Sequence, residues 1–419
     1  MKTPKTLRTG VVTLLILSLL LSGCDIFSEL PWNQSTTSLN SARYGHGNEY
    51  GCAFIRWDGT VTSTGFDDGI TSEMNTWRNV KQLALTYDGC SVYGLLENGT
   101  VEISGNPSLE RKETISEWTN VNELLSLGPD YYSLDSLIMP GALTKSGRFL
   151  LPYTPSEEFR AFSMRNLCQI DTDMHRYAVT TDGNVVCNNP DKLTDLAYME
   201  TLSNVNKITD NNDTEWGYFA LMEDGTIEYP YDFSTYPDIP EDRLQELTNF
   251  KKSIESWTDI EDIYSPFPET LIGIGKDHTV KMEFCSPAFK ECFFFEPESW
   301  TDIHQFRYSD SQRDRFFGIK GDGNVVYAYL KSETGLDLGL MLKPLDDWEN
   351  IIALDYSENH VVGLKNDGTA VATGLNDVGQ CDVTTWHDII SIVAGPAYTA
   401  GLQSDGTIVI AGQFEEIGE

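Results

Sequence analysis

The sequence predicts an all-β protein, a single β-propeller built from repeated small sheets. Two recurring markers and their spacing carry that prediction. A short apolar strand ending in Asp-Gly, Asn-Gly or Ser-Gly, then a β-branched run, stands at Asp58-Gly59, Asn98-Gly99, Ser146-Gly147, Asp182-Gly183, Asp224-Gly225, Asp322-Gly323, Asp367-Gly368 and Asp405-Gly406, with Asp277-His278 as a degenerate ninth copy. Between these lies Trp-x-Asp/Asn-Ile/Val before an apolar strand, at Trp77, Trp118, Trp257, Trp300, Trp348 and Trp386, and without its Trp at Leu202-Ser203-Asn204-Val205. Successive turns lie 36 to 53 residues apart, a spacing that suits propeller blades.

Each element follows from local chemistry. Asx-Gly tolerates the positive φ angles of a type I′ turn, so each first marker predicts a β-hairpin. The segments after it, such as Thr100-Val101-Glu102-Ile103 and Asn324-Val325-Val326, alternate or are β-branched. The strands after the Trp marker, such as Ile389 to Ala394, read as short and apolar. One unit then holds about four strands. A sheet that small cannot bury both faces alone, so neighbours must stack around an axis. The recurrence of Trp at one fixed place assigns at least six of them to blade packing, with about 3–5 kcal/mol expected for truncating a buried one to Ala.

The stretch from His360 to Gln413 resembles the repeats of the regulator of chromosome condensation family, particularly short bacterial versions. The matching residues are Gly363-Leu364, Asp367-Gly368-Thr369, Gly374, Gly379-Gln380-Cys381, Trp386, Asp388-Ile389, Ala394-Gly395 and Thr399-Ala400-Gly401-Leu402. That resemblance implies a propeller, usually of seven four-stranded blades, against up to nine units read here. Upstream units keep the hairpin and the Trp but mostly lose the Gly-Gln element.

An address precedes the repeats. Lys2, Lys5 and Arg8 form a positive segment, and Val11 to Leu21 an apolar stretch of eleven residues, too short to span a bilayer. It ends in Leu21-Ser22-Gly23-Cys24, which resembles a bacterial lipobox. The expected organisation is a lipoprotein signal peptide at 1–23, lipidation of Cys24, a polar tether over 24–42 and the propeller over 43–419. The expected location is the bacterial cell membrane, lipid-anchored and facing the extracytoplasmic side.

Charge narrows the partners. The chain carries 29 basic and 64 acidic residues, a net charge of −35. Removal of residues 1–23 takes three basic residues and no acids, giving −38 for the mature form. A body this acidic argues against nucleic acid and against anionic lipid. Export argues against the family's chromatin role and against nucleotide exchange on an intracellular GTPase. Seven cysteines remain besides Cys24, an odd number, so one thiol is free or pairs between chains. Cys285 and Cys292 bracket six residues and are placed to close a small loop. Cys381 reads as a buried small apolar residue.

Catalytic patterns are missing from the sequence. The six histidines, His46, His175, His278, His304, His360 and His387, form no His-Glu-x-x-His pair. There is no Cys-x-x-Cys, no Gly-x-Ser-x-Gly elbow and no phosphate-binding Gly-x-x-x-x-Gly-Lys-Ser/Thr loop. Asp210-Asn211-Asn212-Asp213 lacks the Gly and distal Glu of a calcium loop. The reading is therefore no enzyme, no catalytic residue, no cofactor and no metal. It is a monomeric, non-catalytic binding module for a protein, peptide or glycan. One alternative is a polysaccharide hydrolase or lyase using funnel carboxylates; another is a structural envelope protein. The irregular inserts Pro230 to Pro237, Tyr264 to Glu269 and Phe293 to Phe295 are the candidate ligand loops.

Overall fold

In the computed structural model, each of the nine repeat units forms its own antiparallel sheet. The structure describes residues 45–47, 50–85, 91–105, 109–126, 140–146, 148–150, 167–170, 177–187, 199, 201–210, 218–229, 233, 239–266, 270–296, 299–308, 315–331 and 338–414. The signal peptide, Cys24 and most of the tether lie outside them. Residues 36–419 form one compact unit. Among the described residues, no helix is long and apolar enough to cross a membrane.

Every sheet is made of strands consecutive in sequence. Sheet 1 contains Gly45–Gly47, Cys52–Ile55 and Val61–Thr64. Sheets 2 to 9 have first strands Val80–Leu85, Val121–Ser126, Leu167–Ile170, Val205–Asp210, Ile260–Tyr264, Ile303–Tyr308, Ile351–Tyr356 and Ile389–Ala394. First strands touch one another between sheets 1 and 2, 2 and 3, 5 and 6, 8 and 9, and 9 and 1, so the first strands lie nearest the axis. The third strands lie outermost, against short helices: α1 (Asp68–Met74), α2 (Leu109–Ser116), α3 (Glu241–Ile254), α4 (Pro287–Glu291) and α5 (Leu338–Leu342). Among the described residues this is a β-propeller of nine units.

The strand count per unit is lower than the expected four. Among the described residues only sheet 7 has a fourth strand, Phe293–Phe294, paired outside Val325–Leu330. After sheets 1, 2, 5, 6 and 7 a helix lies in the segment that leads to the next sheet, whereas residues 375–388 between sheets 8 and 9 make turns only. In α1, Asp67 caps the helix by accepting the Ile70 N–H at 2.8 Å, and Ile70 and Met74 are buried in the junction between sheets 1 and 2.

The turns are also not type I′. Only the glycine takes positive φ, +75° at Gly59 and +80° at Gly368, while the preceding Asp does not. Gly59 N–H donates to Arg56 O, and Arg56 N–H to Thr60 O. That pattern is a type I turn followed by a glycine bulge. The Asp side chain explains the choice: Asp58 Oδ1 accepts both the Thr60 N–H (3.0 Å) and the Thr60 hydroxyl (2.6 Å). The same pair recurs at Asn98, Asp224, Asp277 and Asp367. In the ninth copy His278 takes the glycine's place at φ +64°.

The two markers interlock. The Asn or Asp of the Trp marker adopts left-handed backbone at Asn79, Asn120, Asn204, Asp259, Asp302, Asn350 and Asp388, with φ between 57° and 62°. Asx side chains tolerate that region better than most. Its position lets the next N–H reach the turn of the previous unit: Val80 to Gly59 O, Val121 to Gly99 O, Ile351 to Gly323 O and Ile389 to Gly368 O, all at 2.9–3.0 Å. Its own carbonyl accepts from its own unit's turn, as with Glu97 N–H to Asn79 O at 2.8 Å.

All six marker tryptophans are buried, and each lies in a packed cluster; Trp77 packs with residues of sheets 1 and 2. Five sit on a glycine of their own middle strand. A Cβ added at Gly94, Gly273, Gly318, Gly363 or Gly401 would lie 2.7–3.0 Å from indole carbons. Gly363→Ala is therefore expected to destabilise the protein by about 1–3 kcal/mol through overpacking against Trp348. Urea unfolding of the full chain checks this, and an unchanged midpoint would contradict the packing.

Among the described residues the ring closes without strand exchange. Sheet 9 meets sheet 1 through the Tyr398 hydroxyl, which donates to Gly51 O at 2.9 Å. Arg56 Nη2 donates to Gly406 O at 3.4 Å, where other junctions use a backbone N–H.

Candidate functional site

The innermost strands carry the polar chemistry, although the sequence reads them as apolar. Eight of the nine begin with a register shift after their first residue, as between Val80 and Gln82 or Ile303 and Gln305. A bulge re-aims the side chains that follow. The third residue thereby reaches the next sheet at Gln82, Lys207 and Gln305.

Those third residues tie inner strands together. Gln82 donates through Nε2 to Leu124 O at 2.8 Å and accepts the Leu124 N–H at 2.9 Å. Gln305 donates to Ile352 O at 2.8 Å. Lys207 Nζ meets Asp262 Oδ1 at 2.5 Å and lies 4.2 Å from the centre of the Tyr264 ring. Asp262 also accepts the Ile263 N–H at 2.8 Å and the Tyr264 hydroxyl at 2.6 Å. A buried carboxylate with so many partners is a structural clasp. Glu123 stands at the same position in sheet 3, its carboxyl pushed up by burial and drawn back by Lys81.

The fifth residues make a second tier. They are Thr209, Tyr264, Arg307 and Asp355 in sheets 5 to 8, against Ala84 and Val393 in sheets 2 and 9. Arg307 and Asp355 are enclosed by protein yet keep partial contact with solvent. Innermost position with partial exposure marks the wall of an axial channel. Arg307 Nη2 donates to Gln305 Oε1 at 3.1 Å. Asp355 Oδ2 accepts the Ala394 N–H at 2.7 Å. Burial pushes the Asp355 carboxyl up to about 6, against the pull of Arg307 and two backbone N–H groups. Burial likewise weakens the hold of Arg307 on its proton, which Asp355 and two tyrosines oppose. Burial, then Asp262, raises the Tyr264 phenol.

The other sequence candidates fall elsewhere. Pro230 to Pro237 lies outside the described residues except Phe233, which is buried against Tyr229. Tyr264, Ser265 and Pro266 are buried, and the rest of that insert lies outside the described residues. Phe293 is buried, Phe294 stacks on Tyr329 and Phe295 lies tilted against Trp300, so this run packs the rim. Cys285 is buried and Cys292 exposed, with α4 between them, and the two are not joined to each other. Cys381 is half-buried and donates to Leu375 O at 3.3 Å. His278 and His304 face each other with ring centres 4.6 Å apart, and His304 Nε2 lies 3.0 Å from Asp302. Among the described residues, no group of His, Cys, Asp and Glu has the arrangement of a metal site.

No protein-family model matches this chain, and no curated protein matches it. Solved structures resemble it weakly. The ectodomain of the Arabidopsis thaliana receptor kinase ACR4, a CRINKLY WD40 domain, aligns over 88% of this chain and 93% of its own, with TM-score 0.36 and 13% identity. The ectodomain of the Physcomitrella patens receptor kinase CR4 aligns over 89% and 74%, with TM-score 0.35 and 11% identity. Yeast RCC1 (Prp20), solved with Kap60, aligns over 75% and 73%, with TM-score 0.33 and 12% identity. At such scores the functional reading rests on this chain's own residues.

Proposed function

We propose that this chain is a membrane-tethered bacterial lipoprotein whose propeller is a non-catalytic binding module. Its repeats belong, on this reading, to the regulator of chromosome condensation type in an exported, elaborated form. The lipobox-like Leu21-Ser22-Gly23-Cys24 supports the anchor, and several acyl chains on one terminus hold far more firmly than one. The observation that carries the binding role is the second tier of the channel. It holds a guanidinium and a carboxylate, Arg307 and Asp355, both partly reached by solvent on neighbouring sheets, with the buried Tyr264 phenol on the sheet before them. The ligand class is a protein, peptide or glycan.

Two measurements test this. Full-length protein made in a bacterial host should partition into detergent, and Cys24→Ser should move it to the aqueous phase. Immobilised protein should retain a component from envelope extract or from peptide and glycan arrays. Silence in both, with turnover of an envelope polymer, would overturn the binding role. The enzyme reading is favoured by one group, Asp355, whose carboxyl lies near 6 as a general acid requires. Polymer cleavage lost in Asp355→Asn would establish it.

A further inference from the structure

We infer that the second tier of the channel binds a small zwitterion, taking its carboxylate on Arg307 and its ammonium on Asp355. The inference rests on the binding-module reading and names the ligand chemistry of that site. A guanidinium offers five N–H donors. Arg307 spends one on Gln305, and among the described residues no carboxylate lies within 4.0 Å of it. Gln305 is fixed in turn, because its amide N–H is held by Ile352. The remaining donors of Arg307 are presented in a rigid fork to whatever occupies the channel.

Asp355 occupies the equivalent position on the next inner strand. Its Oδ2 is held by Ala394 N–H, which orients the carboxylate and leaves it lone pairs to accept an ammonium. The two opposite charges sense each other but make no ion pair. Two largely enclosed charges kept apart are each incompletely compensated, and a ligand with matching ends compensates both. The Tyr264 hydroxyl gives its proton to Asp262, which leaves its oxygen only an acceptor role. A zwitterion has no net charge, so the strongly acidic body does not repel it. An α-amino acid, or a compound with the same two ends, has this chemistry.

The test uses glycine as the smallest zwitterion, with acetate and methylammonium as its two halves. The full-length protein in detergent is titrated while arginine Nε–H signals are followed by NMR. Glycine should shift one signal saturably, and that signal should be missing in Arg307→Lys. Each half should bind at least tenfold more weakly than glycine. Arg307→Gln and Asp355→Asn should each weaken glycine at least tenfold, with circular dichroism unchanged. Acetate binding as well as glycine, no saturable shift, or a shift that persists in Arg307→Lys overturns the inference. If either variant fails to fold, the comparison of glycine with its halves on the unaltered protein decides. Retention of an envelope component without glycine binding would overturn this inference alone and leave the binding role standing.

Discussion

Trp300→Ala is expected to lower stability by about 3–5 kcal/mol, the range for removing a fully buried large aromatic. Trp300 is completely buried. Its ring centre lies 5.5 Å from Phe316, 5.7 Å from Phe295 and 6.2 Å from Phe306, in the cluster that joins sheets 6 and 7. Truncation would open a cavity bordered by those rings and by Gly318, which cannot move inward to fill it. Trp300→Phe separates packing from polarity. The indole Nε1 is buried with no hydrogen-bond partner. Phe restores much of the volume and removes that unmet donor, whose burial costs about 1–3 kcal/mol. The Phe variant should therefore lie well above the Ala variant, within about 2 kcal/mol of the parent. Equilibrium denaturation of all three proteins checks the order. Equal midpoints for Phe and Ala would show that ring packing is not what matters there.

The second large effect is a loss of stability in acid at His360. This imidazole is fully buried between sheets 8 and 9. Thr399 gives its one hydroxyl proton to Gln380 O at 2.7 Å, so His360 Nε2, 2.7 Å from Thr399 Oγ1, must be the donor. The Nδ1 atom then accepts from Ser357 Oγ at 3.0 Å. The network requires the neutral ring, and burial pushes the His360 pKa down to about 4 from 6.5. A base with a depressed folded-state pKa gives stability that is complete above pH 6.5. That stability is lost as pH falls toward 4, where the unfolded chain takes up the proton and the folded one does not. The gap corresponds to about 3 kcal/mol by the linkage relation. Asp355 works in the opposite direction between pH 6 and 4, since its folded form takes up a proton first. The measurement is therefore the difference between the parent and His360→Gln, in which Asp355 cancels. That difference should shrink by about 3 kcal/mol from pH 7 to pH 4. A pH-independent difference would rule out the neutral relay.

The repeat was readable because its chemistry is local. Asp-Gly turns and the Trp marker each act within a few residues, and every unit so marked has its sheet. The turn type was missed because Asx-Gly suits both a type I′ turn and a type I turn with a glycine bulge. What decides is the Asp58-to-Thr60 pairing, visible in sequence as Asp-Gly-Thr. The Asn or Asp of the Trp marker carried a signal too, since its recurrence points to left-handed backbone. The channel residues were harder. Gln82, Lys207, Asp262 and Arg307 lie beside other polar residues of their strands, such as Lys81, Asn206, Glu261 and His304, and what sets them apart depends on a bulge and on a neighbouring sheet dozens of residues away. Aromatic inserts drew attention instead. Phe293 to Phe295 shows why that signal misleads: the same rings that attract a ligand also fill a rim.

The closing seam has a consequence for how such a molecule changes over generations. Among the described residues no sheet borrows a strand from another, and the ends meet through Tyr398, Arg56 and their carbonyl partners. A gene segment encoding one whole module can be lost or duplicated without splitting any surviving sheet. Only the wedge angle between neighbours must readjust. Copy number is then a loosely held property of this architecture, and a circle of nine stands within short evolutionary reach of smaller circles.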